Sequence, residues 1–403
     1  VRHFEQFTQL HLGLLAETKR KSLPRIAKAV QADHQALHHF LANAEWSVEE
    51  LRARRLALRQ QAVGDRPIIV CLDETGDRKK GKTTDYAAPQ YIGNLHGTAN
   101  GVVSVNAYGV LGNTTFPLTF RLFKPKGRLK AGDIHKSKPL LAVELLEELC
   151  RRGLRISVVL ADSMYGESSD VTRALYGLKL PYVVAIRSNH PVWMFPGFSG
   201  ERKRYTRWRA YDRTFADGTS ERRYLREIAF GKRTPVRYFQ LTTDPVRQPE
   251  ETTWYLKTNL PGKLERSVGN TFGLRTWVEY GFKQAKDELG WADYRLTEAH
   301  SMERWWEVVM SAYTLVSLQS LARTAKPSAP ASAPAPAPVT AHPQWAADAG
   351  WKHQLNNLRR LLQPYLCAAL LLPWLRLFDL PHLQRGLADA CSLMNAFHLL
   401  GPT

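Results

Sequence analysis

Two stretches of this sequence constrain its fold more than any others. Pro67-Ile-Ile-Val-Cys-Leu-Asp73 and Ile156-Ser-Val-Val-Leu-Ala-Asp162 are both apolar runs that end in an acid. A continuous apolar run of this length is the pattern of a strand buried on both faces, which places it inside a sheet covered by helices. A carboxylate is too costly to leave unpaired in such a core. Each aspartate is therefore expected at a strand end, facing solvent, a metal or a substrate. Glu74 is expected on the opposite side if the strand continues, and Asp77 and Asp85 are expected in loops.

The surrounding pattern extends the sheet. Gly101 to Tyr108 and Thr115 to Phe123 read as further strands, with Asn100-Gly101 and Gly112-Asn113 as turn signals. Lys138 to Arg152 has helical spacing and ends at Gly153. A helix from about Ser168 to Tyr176 and a strand from Pro181 to Ile186 follow Asp162. Three strands, a helix, a strand, a helix and a strand belong to an α/β fold, a mixed sheet flanked by helices.

The charge balance narrows the partner. Lys+Arg 56 against Asp+Glu 37 gives +19 and a pI near 9.8, the footprint of a polyanion binder, with nucleic acid ahead of an anionic membrane. Cys71, Cys150, Cys367 and Cys391 have no CxxC spacing, which argues against a zinc ribbon or a disulfide framework and for a reducing cytoplasm. The most apolar run, Tyr365 to Trp374, is too short to span a bilayer, so no membrane segment is expected.

Residues 1–62 read as short helices broken near Ser22-Leu23-Pro24. The last, opened by the capping box Ser47 to Glu50, carries the basic stretch LRARRLALRQQ. They are expected to form a helical DNA-binding region. His38 and His39 lack metal-ligand company and read as structural. Residues 190–258 alternate Arg with Tyr and Trp, as in Arg202 to Arg209. With Asp217-Gly218 as a hairpin turn, they read as a small β insertion that touches DNA through its arginines. Lys326 to Pro343 is a Pro/Ala linker, and residues 345–403 return to helical spacing. The expected organisation is 1–62, a catalytic domain in two parts at 63–189 and 259–325 around the insertion, a linker at 326–344 and the helical tail.

FGLRTWVEYGFKQAK, Phe272 to Lys286, carries the third acid. Read as one helix at about 100° per residue, it sets Phe272, Arg275, Glu279 and Lys286 on one stripe. One carboxylate flanked by two cations suits a site that binds a metal and phosphates together. Asp73, Asp162 and Glu279 offer only oxygen ligands, the set that hard divalent cations take.

With these residues in place the chain resembles the DDE transposases of bacterial insertion sequences, marked by a Y-x2-R-x3-E-x6-K signature. The signature here reads Phe272, Arg275, Glu279 and Lys286, with Phe for Tyr; CLDETG carries Asp73 and VVLADSMYG carries Asp162. The resemblance spans roughly residues 66–300 and implies a ribonuclease-H-like fold. It implies Asp73, Asp162 and Glu279 as catalytic metal ligands for two Mg²⁺ ions, with Mn²⁺ as a substitute. Arg275, Lys286, Lys283 and Phe272 are then the candidate DNA contacts. The implied reaction nicks DNA at each transposon end and transfers the resulting 3′-OH to target DNA. A homodimer on DNA and a place at the bacterial nucleoid follow from the same likeness. A catalytically silent DNA-binding protein on this scaffold is the alternative. A two-carboxylate glycosidase fits poorly with the basic charge.

Overall fold

The computed structural model describes residues 3–81, 83–95, 97–190, 204–215, 219–229, 236–324, 350–378 and 380–400. The linker, Trp193 and the Asp217-Gly218 turn lie outside the described residues. The chain divides into two units. One holds residues 65–82 and 86–281, and the other holds 1–64, 83–85 and 282–403.

The first unit is built on an 11-stranded mixed sheet. In it β1 (Ile68–Arg78) lies between β3 (Gly97–Leu111), antiparallel, and β5 (Ile156–Ala161), parallel. β2 (Ala88–Ile92) and β4 (Thr114–Leu122) both pair with β3. β6 (Tyr182–Ile186) runs parallel to β5, the right setting for a strand reached through a helical crossover. The core is the pair of apolar runs expected from sequence: Val70, Cys71, Leu72, Val159, Leu160 and Ala161 are all fully buried. Helix α5 (Lys138–Arg151) is capped by Ser137, whose Oγ accepts from Leu140 N, and it buries Leu141, Leu145 and Leu149.

Two observations refine the reading from sequence. β1 continues five residues past Asp73, so Asp77 is a buried strand residue and not a loop one. The basic-aromatic stretch does not form a sheet of its own. β7 (Arg204–Tyr205), β8 (Arg209–Thr214), β9 (Ser220–Ala229), β10 (Arg237–Thr242) and β11 (Trp254–Thr258) extend the same sheet, because β11 pairs antiparallel with β6. Here the rings are already partnered. The guanidinium groups of Arg213 and Arg223 lie 5.1 and 4.4 Å from the Trp254 ring centre, and Arg226 lies against both Tyr205 and Trp208.

The second unit is helical. Its N-terminal part is α1 (Phe4–Leu15), α2 (Leu23–Val30), α3 (His34–Ala42) and α4 (Val48–Val63). Ser47 Oγ accepts from Glu50 N at 3.2 Å and starts α4 as the capping box requires. The basic face of α4 turns inward. Arg52 and Arg55 donate to the two carboxylate oxygens of Glu307, at 3.1 and 2.5 Å, and Arg59 is buried as well. These three arginines are thus core residues of the helical unit. Glu307 belongs to α10 (Ala299–Thr324), which begins where Asp85 Oδ2 accepts from Ala299 N. α11 (Trp351–Leu377) and α12 (Pro381–Leu400) complete the unit. No helix among the described residues is long and apolar enough to cross a membrane.

Candidate active site

Asp73 and Asp162 meet because β1 and β5 are parallel neighbours: Leu72 pairs with Ala161, so both aspartates follow at the same sheet edge. Asp162 is also the cap of α6 (Ser163–Gly166), its Oδ1 accepting from Met164 N at 3.0 Å and Tyr165 N at 3.5 Å. Two contacts hold α6 against the sheet. Gly166 approaches the Ala185 carbonyl on β6 so closely that a Cβ would overlap it. Lys257 Nζ, from β11, donates to the Gly166 carbonyl at 2.7 Å and to Thr172 Oγ1 at 3.1 Å. Thr172 lies on α7 (Ser169–Gly177).

Glu74 joins the two aspartates. One carboxylate oxygen from each of Asp73, Glu74 and Asp162 lies within 4.8 Å of the others. Strand alternation placed Glu74 on the opposite side. However, β5 pairs with β1 only as far as Leu72, and beyond that point a Glu74 carboxylate oxygen reaches the two aspartates. Tyr165, fully buried on α6, donates its hydroxyl to Glu74 Oε2 at 3.1 Å, and Lys138 Nζ donates to Oε1 at 3.2 Å. Tyr165 and Lys138 were not singled out from sequence. The spacing of Tyr165, three residues after Asp162 on the capped turn, is the signal that identifies it.

The third acid is reached through an arginine. Phe272 to Lys286 is not one helix: α8 (Val268–Gly273) and α9 (Thr276–Asp287) meet at Leu274 and Arg275. The joint is a tight turn, with Arg275 N bonded to Phe272 O and Val278 N to Arg275 O. The Cys71 thiol of β1 donates to the Leu274 carbonyl at 3.7 Å. Phe272 precedes the break; it is 7% exposed, meets Trp254 edge-on at 6.1 Å and shares the lining of the cleft beside Arg275. Arg275 stays at the joint, with Nη1 donating to Asp73 Oδ2 and Nη2 to Glu279 Oε1, each at 2.9 Å. Glu279 is 57% exposed and stands outside the close carboxylate cluster. Lys283, exposed, and Lys286 follow on α9. Gly281 seats this helix: a Cβ there would lie 2.5 Å from the Tyr108 ring of β3.

The electrostatics follow from burial. Asp73 is pushed up to about 7 by its burial, against the pull of Arg275. Asp162 is raised by burial and then by the neighbouring Glu74. Such carboxylates are poor isolated anions and good partners for a bound cation. Oxygen donors alone, with no histidine or cysteine among them, are the set a hard divalent cation takes. A cleft of about 760 Å³ opens beside Asp162 and Arg275, with Arg187, Arg213 and Trp254 in its lining. Its walls bring three guanidinium groups, of Arg187, Arg213 and Arg275, and two carboxylates, of Asp162 and Glu250.

Comparison with known proteins gives the family. The family model described as DDE superfamily endonuclease matches residues 2–249, a span that contains Asp73 and Asp162 and ends before Glu279. The chain belongs to the DDE superfamily endonucleases. It is similar to the probable transposase for insertion sequence element IS701 of Microchaete diplosiphon, 50% identical over 305 residues that cover 75% of this chain and 80% of that protein.

Proposed function

We propose that this protein is a DNA transposase that cuts the ends of an insertion sequence and joins them to target DNA, with Asp73, Asp162 and Glu279 as its catalytic acids. The observation that carries the reading is the Arg275 guanidinium, which links Asp73 to Glu279 beside the Asp162 carboxylate. Two Mg²⁺ ions, or Mn²⁺ in their place, held by these acids would supply the Lewis-acid activation that phosphoryl transfer needs. The residues of the chain do the remainder. Asp162, fixed by its hydrogen bonds at the start of α6, keeps one oxygen directed at the site. Arg275 bridges two acids in the DNA-free protein and takes a phosphate of the transposon end when DNA arrives. Lys283 and Lys286, further along α9, hold the next phosphates, and the arginines of the cleft guide the strand towards the acids. Pairing two transposon ends calls for two copies of the chain on DNA.

Cleavage of labelled transposon-end DNA by wild type and by Asp162→Asn, with Mg²⁺ and with EDTA, tests this. Asn keeps an oxygen for the α6 cap and removes the charge. Nicking that needs Mg²⁺ and disappears in the variant, with DNA binding retained, is the expected result. Equal nicking by both proteins would remove Asp162 from the site.

A further inference from the structure

We propose that Glu74 is a fourth carboxylate of the metal site, and that in the DNA-free protein it holds a divalent cation together with Asp73 and Asp162 while Glu279 stands aside. The inference rests on the transposase reading above and adds to it a residue and an order of assembly.

Three observations carry it. The carboxylates whose oxygens converge within 4.8 Å are Asp73, Glu74 and Asp162, and Glu279 is not among them. Glu279 is more than half exposed and commits Oε1 to Arg275. Glu74, in contrast, is oriented from outside the cluster by two separate elements, the Tyr165 hydroxyl of α6 on one oxygen and the Lys138 ammonium of α5 on the other. A carboxylate has about four lone-pair sites. One donor on each oxygen therefore leaves room for a cation, and partners of this kind are what fix a metal-ligating carboxylate in place. A glutamate that only balanced Lys138 would have no need of a buried tyrosine that also reaches back to the Asp162 turn. Arrival of DNA then gives Arg275 a phosphate in exchange for Glu279, which becomes free to turn inward.

The test is Mn²⁺ uptake by the full chain without DNA, read as loss of the free Mn²⁺ signal in electron paramagnetic resonance. Wild type should bind, Glu74→Gln and Asp162→Asn should each weaken binding on the order of tenfold or more, and Glu279→Gln should leave it within about twofold. Tyr165→Phe, which keeps the carboxylate and removes the hydroxyl that orients it, should also weaken uptake, and it carries the test if Glu74→Gln does not fold. Glu279→Gln losing affinity while Glu74→Gln and Tyr165→Phe keep it would overturn the inference. So would a wild type that takes up no Mn²⁺ without DNA. In that case, Mg²⁺-dependent nicking by the same preparation would leave the transposase reading standing, and its absence would remove both.

Discussion

Arg275 Nη1 lies 2.9 Å from Asp73 Oδ2, and the same guanidinium reaches Glu279 Oε1 at the same distance. A planar fork can serve two carboxylates at once, which a lysine ammonium on a flexible stem cannot do with fixed geometry. Arg275→Lys should therefore fold normally and cut poorly. Losing one charge-assisted hydrogen bond, about 1.5–3 kcal/mol, corresponds to a roughly ten- to hundredfold fall in cleavage rate. Single-turnover nicking measures it, and a wild-type rate in the lysine variant would show that the fork is dispensable.

Burial of Asp73 should appear as a pH-dependent cost to stability. Its carboxyl titrates near 3.8 when unperturbed and is pushed up to about 7 in the fold, so between these values the folded state keeps a proton that the unfolded state has released. Stability from this group falls as pH rises through that window and is lowest above about 7. Asp73→Asn should thus stabilise the metal-free protein at pH 8 by about 1–2 kcal/mol and do almost nothing at pH 4. Thermal melts in EDTA at the two pH values decide the matter. A variant equally or less stable at pH 8 would refute it.

Two glycines set the positions of two acids, and they should fail differently. At Gly281 the obstacle to a Cβ is the Tyr108 ring, and at Gly166 it is the Ala185 backbone carbonyl. Either alanine should cost about 1–3 kcal/mol through overpacking and reduce cleavage by shifting Glu279 or Asp162. Adding Tyr108→Leu should restore stability and activity to Gly281→Ala, whereas no side-chain change is expected to rescue Gly166→Ala. Chemical denaturation of the single and double variants supplies the comparison. Additive losses at 281 and 108 would count against the contact.

Glu307 holds two buried arginines, so its removal should damage the helical unit more than an ordinary core substitution. Glu307→Ala leaves Arg52 and Arg55 without their shared carboxylate and should cost about 3–5 kcal/mol. Glu307→Met brings no acceptor and should do no better. Urea unfolding followed by helical circular dichroism measures the loss, and an unchanged midpoint in either variant would argue that the arginines find other partners.

The parts of this fold that were readable from sequence are those set by local pattern. Val70 to Leu72 and Val159 to Ala161 announce buried strands, and the acids after them announce a site. Glu74 is not readable from alternation because alternation sets only the direction of the Cβ; the longer side chain, held by Tyr165 and Lys138, brings a carboxylate oxygen to the two aspartates. The joint at Leu274 and Arg275 was missed because the charges and rings of Phe272 to Lys286 suit a continuous helix; the break is held by tertiary contacts such as Cys71 to Leu274. Alternation in residues 204–258 correctly marked strands but carries no information on which sheet they join. The arginines of α4 read as a DNA surface because their partner, Glu307, lies some 250 residues away.

That last separation has a consequence during synthesis. Helix α4 leaves the ribosome early, yet Arg52 and Arg55 have no Glu307 to pair with until α10 has been made. At roughly 5–20 residues per second, the roughly 240 residues between α4 and Glu307 impose a delay of some ten to fifty seconds. Throughout it α4 has Glu49 and Glu50 as carboxylate partners for Arg52 and Arg54 but lacks the Glu307 carboxylate that Arg52 and Arg55 share in the finished fold. A message cut short before the codon for Glu307 yields a chain in which Arg52 and Arg55 lack the carboxylate they share in the finished fold.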